Sequence, residues 1–160
     1  MEEPKRLIET FYSAFQKKDW RVMQLCYHDA VIFSDPVFGN LKCPEAKAMW
    51  HMLILAGKDL TLTFQNITSD GASGSCDWDA HYSFSKTGRK VHNFIHARFE
   101  FRDGKIIKHT DSFDLWKWAS MALGISGALL GWTPLIQSKI RGTADKNLKK
   151  FIGEHPEYGS

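Results

Sequence analysis

The hydrophobic pattern of this chain changes its period near Gly57, and that change constrains the fold more than any other feature. Before Gly57, apolar residues recur at the three- and four-residue spacing of an amphipathic helix. After Gly57, apolar and polar residues alternate, as they do in strands that bury one face. The chain is therefore predicted to be an α+β domain in which N-terminal helices cover one face of an antiparallel sheet.

Three helices and one short strand are predicted before the change of period. Proline at a helix start, an aspartate N-cap and a terminal glycine mark the helix ends. The predicted elements are a helix opened by Pro4, a helix from Trp20 to Cys26, a strand from Ala30 to Asp35, and a helix from Pro44 to the stop at Gly57.

Four strands are predicted after Gly57, and the register of the last hairpin decides which side chains face the helices. A two-residue Asp103-Gly104 loop would pair Arg98 with His109. A three-residue loop with Gly104 in the left-handed conformation would pair Ala97 with His109. We prefer the second loop because it gathers the apolar side chains on one face. With them it turns three polar residues inward: Asn93, His109 and Asp111.

The C-terminal part of the chain has a different character. We expect a domain over residues 1–118 and a helical extension over residues 119–160, in which glycines interrupt an apolar run and a basic helix follows Thr133-Pro134. The extension is expected to pack on the domain or cover a pocket mouth, with a homodimer contact or a membrane-surface helix as alternatives. The apolar run is shorter than the roughly 20 residues that span a bilayer, so no transmembrane segment is predicted.

Composition argues against several classes of protein. The net charge of +3 is scattered, without the basic stripe that nucleic-acid binding requires. The three cysteines are widely spaced, and the N-terminus lacks an apolar signal core, which indicates free thiols and a cytoplasmic location. The seven histidines show no helical i, i+4 pair beside an acid, so the sequence predicts no metal site.

Asp35 is the first candidate for chemistry. An aspartate before proline at the start of a turn accepts backbone hydrogen bonds, which is a purely structural explanation. At the rim of an aromatic pocket, the same carboxyl group would have a raised pKa and could act as a general base. Asp111 likewise has two explanations: a pocket acid, or a buried carboxyl group that His109, Asn93 or a tyrosine satisfies.

Four motifs carry a resemblance to a known family. They are Tyr27-His28-Asp29-Ala30-Val31, Asp35-Pro36-Val37-Phe38-Gly39, Phe99 to Ile106, and Asp111-Ser112-Phe113-Asp114. With the order of elements, they resemble the nuclear transport factor 2-like superfamily, in its SnoaL-like and ketosteroid-isomerase-like branch, over residues 4–118. The resemblance implies a cone-shaped half-barrel with a hydrophobic pocket. It leaves the reaction open, because this fold carries isomerases, cyclases, hydrolases and non-catalytic binding modules.

The resemblance also implies roles for individual positions. Asp35 stands where ketosteroid isomerases hold their proton-transferring aspartate. Their oxyanion tyrosine falls on Phe11 or Tyr12, and their oxyanion acid falls on Ala97, which cannot donate a hydrogen bond. In limonene-epoxide-hydrolase-like members, the last-strand aspartate matches Asp111. The arginine and second aspartate of those enzymes fall on Trp78 and Ala80.

The sequence therefore predicts a small-molecule pocket protein. We expect Asp35, Asp111 and His109 to be the catalytic candidates of a cofactor-independent isomerase, cyclase or hydrolase that acts on a small apolar carbonyl or polyketide-like substrate. The alternative is a non-catalytic module that binds a hydrophobic ligand or dimerises. The expected pocket lining is Tyr12, Tyr27, Phe33, Trp50, Phe64, Trp78, Tyr82, Asn93, Ile95 and Phe113.

Overall fold

The computed structural model describes residues 2–159, and it begins with the predicted helices. The first helix starts earlier than Pro4, and Asp19 caps the second by accepting the N–H of Val22. The helices of the N-terminal half are α1 (Glu2–Gln16), α2 (Trp20–Leu25) and α3 (Cys43–Ala56).

Six strands form one open mixed sheet in the order β2-β1-β6-β5-β4-β3. Neighbouring strands are antiparallel except β1 and β6, which run parallel. With helices packed on one face, this architecture confirms the predicted α+β fold class. The strands are β1 (Tyr27–Asp35), β2 (Gly39–Lys42), β3 (Thr61–Ser69), β4 (Ser73–Ser83), β5 (Lys90–Arg102) and β6 (Lys105–Ser112).

The preferred register of the β5–β6 hairpin was wrong. Arg102 pairs with Lys105, so the loop has two residues, and Asp103 and Gly104 both have positive φ angles, at 54° and 72°. This is the geometry of a two-residue hairpin turn whose twist matches that of the strands. A register shift after Phe101 then pairs Ala97 with Asp111.

The register shift explains why most of the side chains predicted to face the helices do so, although the predicted pairing was wrong. An extra residue in one strand exchanges the faces beyond it. Ile106 is therefore fully buried and Ile107 only half-buried, whereas the three-residue loop would have turned Ile107 toward the apolar face. Beyond the shift, Asn93, His109 and Asp111 are all buried.

The main core lies between α1, α3 and the concave face of the sheet, and it is unusually aromatic. The side chains of Phe11, Tyr12 and Phe33 are fully buried, and Trp50 is 2% exposed. Ring pairs at centroid distances of 5.2–5.6 Å connect Phe11 to Tyr12 and to Trp50. Aromatic pairs of this kind add stabilisation beyond the area they bury.

Three further helices follow the sheet: α4 (Leu115–Leu123), α5 (Ile125–Leu130) and α6 (Pro134–Glu154). Asp114 and Thr133 cap α4 and α6 through their side chains, as the sequence indicated for Thr133. The glycines of the apolar run were expected to interrupt it, but helix α5 forms there. Gly127 lets the backbone of α5 approach α4, because a Cβ atom at this position would lie 1.9 Å from the carbonyl oxygen of Ala119. Leu148 of α6 is 2% exposed and belongs to the main core.

Within residues 2–159, no helix combines the length and the apolar character needed to cross a membrane.

Candidate functional site

The parallel pairing of β1 with β6 brings the two candidate acids together. Phe33 pairs with His109 and Ser34 with Thr110, so Asp35 and Asp111 are the next residues along adjacent strands. Adjacent strands lie about 4.8 Å apart, which puts the two acids side by side on the concave face. The charge of Asp111 contributes to a raised pKa at Asp35, as expected for neighbouring carboxylates.

Asp35 is half-buried at the end of β1, where its carboxyl group accepts backbone hydrogen bonds and has a raised pKa. Its Oδ1 atom accepts the backbone N–H groups of Val37 at 2.9 Å and Phe38 at 2.6 Å, which fixes the turn into β2. Burial raises its pKa to about 6, although those two N–H groups oppose the shift. Oδ1 is thus committed to the turn, while Oδ2 makes no hydrogen bond within residues 2–159.

A buried hydrogen-bond chain stands behind Asp111. Trp50 Nε1 donates to the hydroxyl oxygen of Tyr27 at 2.8 Å. That hydroxyl lies 2.8 Å from His109 Nδ1, and His109 Nε2 lies 2.9 Å from Asp111 Oδ1. All four side chains are at most 4% exposed.

The indole nitrogen of Trp50 sets the direction of this chain, because it can only donate. Tyr27 accepts from it and so gives its own hydrogen to His109 Nδ1. His109 then carries its hydrogen on Nε2 and donates it to Asp111 Oδ1. This hydrogen-bond chain holds the Asp111 carboxyl group in one orientation through Oδ1 and does not involve its Oδ2 atom.

Two buried donors near these acids have no hydrogen-bond partner among residues 2–159: the hydroxyl group of Tyr12 and Nε1 of Trp78. Their rings lie 5.8 Å apart, between α1 and β4. Burial raises the pKa of Tyr12 well above its usual value, and the charge of Asp111 adds to the shift, so Tyr12 stays a donor. Buried donors without partners are rare in folded proteins and call for an explanation.

The other expected pocket residues divide into two groups. Phe33, Ile95 and Asn93 are buried, and the Phe33 ring contacts that of His109 at 5.1 Å. Phe64, Tyr82 and Phe113 are half-buried, which leaves them nearer the solvent. Tyr82 accepts a hydrogen bond from Trp118 of α4 at 2.6 Å, so it connects the sheet to the C-terminal helices.

Sequence reasoning found only part of this hydrogen-bond chain. It named His109 among the possible partners of Asp111, and the two are hydrogen-bonded, but it placed Trp50 only in the core or in a pocket wall and did not predict its bond to Tyr27. A buried tryptophan needs an acceptor, and this requirement was the available signal. The partner of Trp50 depends on tertiary packing, which residue spacing does not reveal.

Two groups of potential metal ligands occur within residues 2–159, and both exclude the two acids. One comprises Asp79, His81 and His92, and the other His51, His155 and Glu157.

Comparison with known proteins finds a family model described as the SnoaL-like domain, which matches residues 8–109. That range is well over half of the chain and includes Asp35 and His109, while Asp111 lies just beyond it. No curated protein sequence matches the chain significantly.

Several solved structures share the fold. IdmH from Streptomyces antibioticus, a candidate polyketide cyclase, has a TM-score of 0.64 at 20% identity, over 76% of this chain and 99% of its own. A Mycobacterium tuberculosis LEH-like epoxide hydrolase has a TM-score of 0.62 at 18% identity, over 82% and 97%. TerC, co-crystallised with polyporic acid, has a TM-score of 0.61 at 16% identity, over 72% and 95%. Identities this low show that the fold is shared but do not show that the reaction is.

Proposed function

Because the chain belongs to the family of SnoaL-like domains, we propose that it binds a small, largely apolar carbonyl compound and catalyses proton transfer on it. The general base is Asp35, and the reaction class is that of a cofactor-independent isomerase, cyclase or hydrolase. A polyketide-like compound suits the aromatic side chains packed around the two acids. The free thiols of the three cysteines fit the cytoplasmic location that the sequence predicts.

One observation carries the proposal: two carboxyl groups lie side by side at the edge of an aromatic interior, and one of them has a pKa of about 6. An aspartate with that pKa is ionised at pH 7 and still basic enough to accept a carbon-bound proton. An ordinary surface aspartate is a much weaker base.

In the proposed reaction, Asp35 Oδ2 takes the proton from the carbon next to the substrate carbonyl group. The electron pair of that C–H bond forms a carbon–carbon double bond, and the π electron pair of the carbonyl group moves onto its oxygen, which gives an enolate. Tyr12 is the candidate donor to the enolate oxygen, since its hydroxyl group has no partner among residues 2–159 and Ala97 supplies no donor at the position where related isomerases hold an acid. Return of the proton from Asp35 to another carbon atom completes an isomerisation.

The orientation of Asp111 also matters for the proposed site. His109 donates to Oδ1 and so leaves Asp111 Oδ2 free to accept a hydrogen bond from the substrate. His109 touches Asp111 rather than the substrate, and it acts as a positioning residue.

The test uses benzoylacetone as a probe and follows exchange of its α-protons with deuterium by NMR. Wild-type protein is expected to accelerate the exchange, with a rate that rises as pH increases through about 6, because Asp35 must lose its proton to act as a base. Asp35→Asn is expected to lower the rate by about 10²–10⁴-fold. Asparagine keeps an oxygen that can accept the two N–H groups of the turn, so the fold should be retained.

The matched control is Asp103→Asn, in the exposed β5–β6 turn, which should leave the rate unchanged. No acceleration by the wild type, or equal rates for wild type and Asp35→Asn, would contradict the assignment of Asp35.

A non-catalytic binding module is the second candidate, and the apolar side chain of Ala97 favours it. Losing one oxyanion donor typically costs about 10²–10³ in rate. This alternative predicts that calorimetry with polyporic acid gives the same affinity for wild type and Asp35→Asn, while neither accelerates exchange.

A further inference from the structure

The end of the chain folds back onto α3 and brings three metal-ligand side chains together. His51 lies on α3, His155 follows α6, and Glu157 lies in the 3₁₀ helix Pro156–Tyr158. Their ligand atoms all lie within 4.8 Å of one another. We propose that these three residues bind a divalent transition-metal ion of the zinc class and join the C-terminal segment to α3. Two histidines and a glutamate are one of the known donor sets for zinc, with a fourth position open.

The second nitrogen of each histidine ring already has a partner. His155 Nδ1 lies 2.8 Å from the carbonyl oxygen of Phe151, to which it donates. His51 Nδ1 lies 2.9 Å from the hydroxyl group of Tyr158, which in turn accepts from the Gln24 amide at 2.8 Å. Metal-binding histidines usually have such a partner, which fixes the ring orientation. The Nε2 atoms remain to bind the ion.

The spacing of the two rings fits tetrahedral coordination. The ring centroids of His51 and His155 lie 5.2 Å apart, with their planes at 71°. Two imidazoles bound at about 2.1 Å to one tetrahedral ion have ring centres about 5 Å apart. Glu157 is exposed, so its carboxylate can complete the set without disturbing the core.

The surroundings hold one ligand firmly and leave room beside it. His51 is 8% exposed, and its ring stacks on that of Trp20 at 4.1 Å and 13°. A surface cleft of about 570 Å³, lined in part by Trp20, His51, Glu157 and Tyr158, adjoins the site. Water or another small ligand can therefore take the fourth position.

The other group of potential ligands is less suitable. The rings of His81 and His92 stack at 3.6 Å and 25°, too close for both to bind one ion at normal angles. Asp79 is already hydrogen-bonded to His92 at 2.8 Å and to Thr63. We interpret this group as a hydrogen-bonded cluster, and it provides the control for the experiment.

The experiment uses the full chain, treated with EDTA and then freed of the chelator. Titration with CoCl₂, followed by visible absorption, should show one equivalent bound with the intense bands of four-coordinate Co²⁺, and ZnCl₂ should displace it. His155→Gln and Glu157→Gln should each weaken binding by at least about tenfold. The control variant His92→Gln should bind like the wild type.

A second readout separates binding from misfolding. Zn²⁺ should raise the Tm of the wild type and of His92→Gln, because an ion that binds only the folded state stabilises it. It should raise the Tm of Glu157→Gln less, although without metal this surface variant should unfold at nearly the wild-type temperature. Absence of cobalt binding, equal binding by Glu157→Gln, or loss of binding in His92→Gln would overturn the proposal. None of these results depends on the chemistry proposed for Asp35.

Discussion

Tyr27 and Tyr12 are both fully enclosed by the core, yet their hydroxyl groups have opposite surroundings. The Tyr27 hydroxyl connects Trp50 to His109, with 2.8 Å on each side. The Tyr12 hydroxyl has no partner among residues 2–159. A buried hydrogen bond contributes modestly, whereas a polar group left without its partner costs considerably more. The two tyrosines therefore form a natural pair for comparison.

We expect Tyr27→Phe to lower the free energy of unfolding by about 1–3 kcal/mol, because it leaves both Trp50 Nε1 and His109 Nδ1 without a partner. Tyr12→Phe removes a hydroxyl group that has no hydrogen-bond partner within residues 2–159, so it should cost less than about 1 kcal/mol or increase stability. Urea unfolding of the two variants measures the difference. An equal loss of unfolding free energy in both variants would show that the hydrogen bonds of Tyr27 do not contribute to stability.

The sequence suggested candidate residues but few of their contacts. The motifs of the resemblance led to Asp35 and Asp111, and alternation in β6 led to His109. The contacts of Tyr27 with Trp50 and His109 join residues 23 and 82 positions apart. Such contacts follow from how the elements pack, and neither helical nor strand periodicity contains that information.

At the level of elements, the β5–β6 hairpin depends on its two-residue turn. Gly104 has a φ angle of 72°, and a Cβ atom there would meet no other atom within 4 Å. Any cost of a side chain at this position is therefore conformational. Gly142 of α6 also has open space around it, but it lies inside a helix, where alanine is preferred over glycine.

Gly104→Ala should therefore destabilise the protein by about 1–2 kcal/mol, since alanine is disfavoured in the left-handed region. Gly142→Ala should stabilise it by about 0.5–1 kcal/mol. Thermal unfolding followed by circular dichroism tests both. A gain in stability for Gly104→Ala would contradict the turn geometry described above.

The elements also show where periodicity is sufficient and where it fails. The change of period near Gly57 correctly predicted α1 to α3 and the meander from β3 to β6. Strand β2 was not predicted, because its four residues are too few to show alternation. The predicted hairpin register was wrong although the predicted faces beyond Phe101 were right. The two-residue loop shifts the pairing by one residue, and the irregularity between Glu100 and Phe101 shifts it by one more, so the inward-facing residues beyond that point stay the same. An alternating pattern indicates which face of the sheet a residue occupies, but it does not reveal an extra residue that shifts the pairing of two strands.

For the whole molecule, the last helix, α6, contributes to the same core as the sheet. The side chain of Leu148 is 2% exposed within that core, whereas Leu135, at the other end of the same helix, is 68% exposed. A core leucine contributes both its transfer from water and the filling of space that would otherwise be a cavity.

Leu148→Ala is expected to cost about 2–4 kcal/mol in the free energy of unfolding. Leu135→Ala, the same change at an exposed position of α6, should cost less than about 0.5 kcal/mol. Denaturant unfolding of both variants would test whether residues 119–160 are a separate appendage. If Leu148→Ala proved as mild as Leu135→Ala, α6 would be only loosely attached to the domain.

The parallel contact between β1 and β6 also has a consequence for how the protein is made. Ser34 and Thr110 meet across 76 positions of sequence, and Asp35 and Asp111 lie beside them. Contacts over such distances close large loops and slow folding. On the ribosome, the first half of the chain must wait for residue 111 to emerge before the two acids can meet. The two acids therefore cannot lie side by side until the chain has been synthesised beyond residue 111.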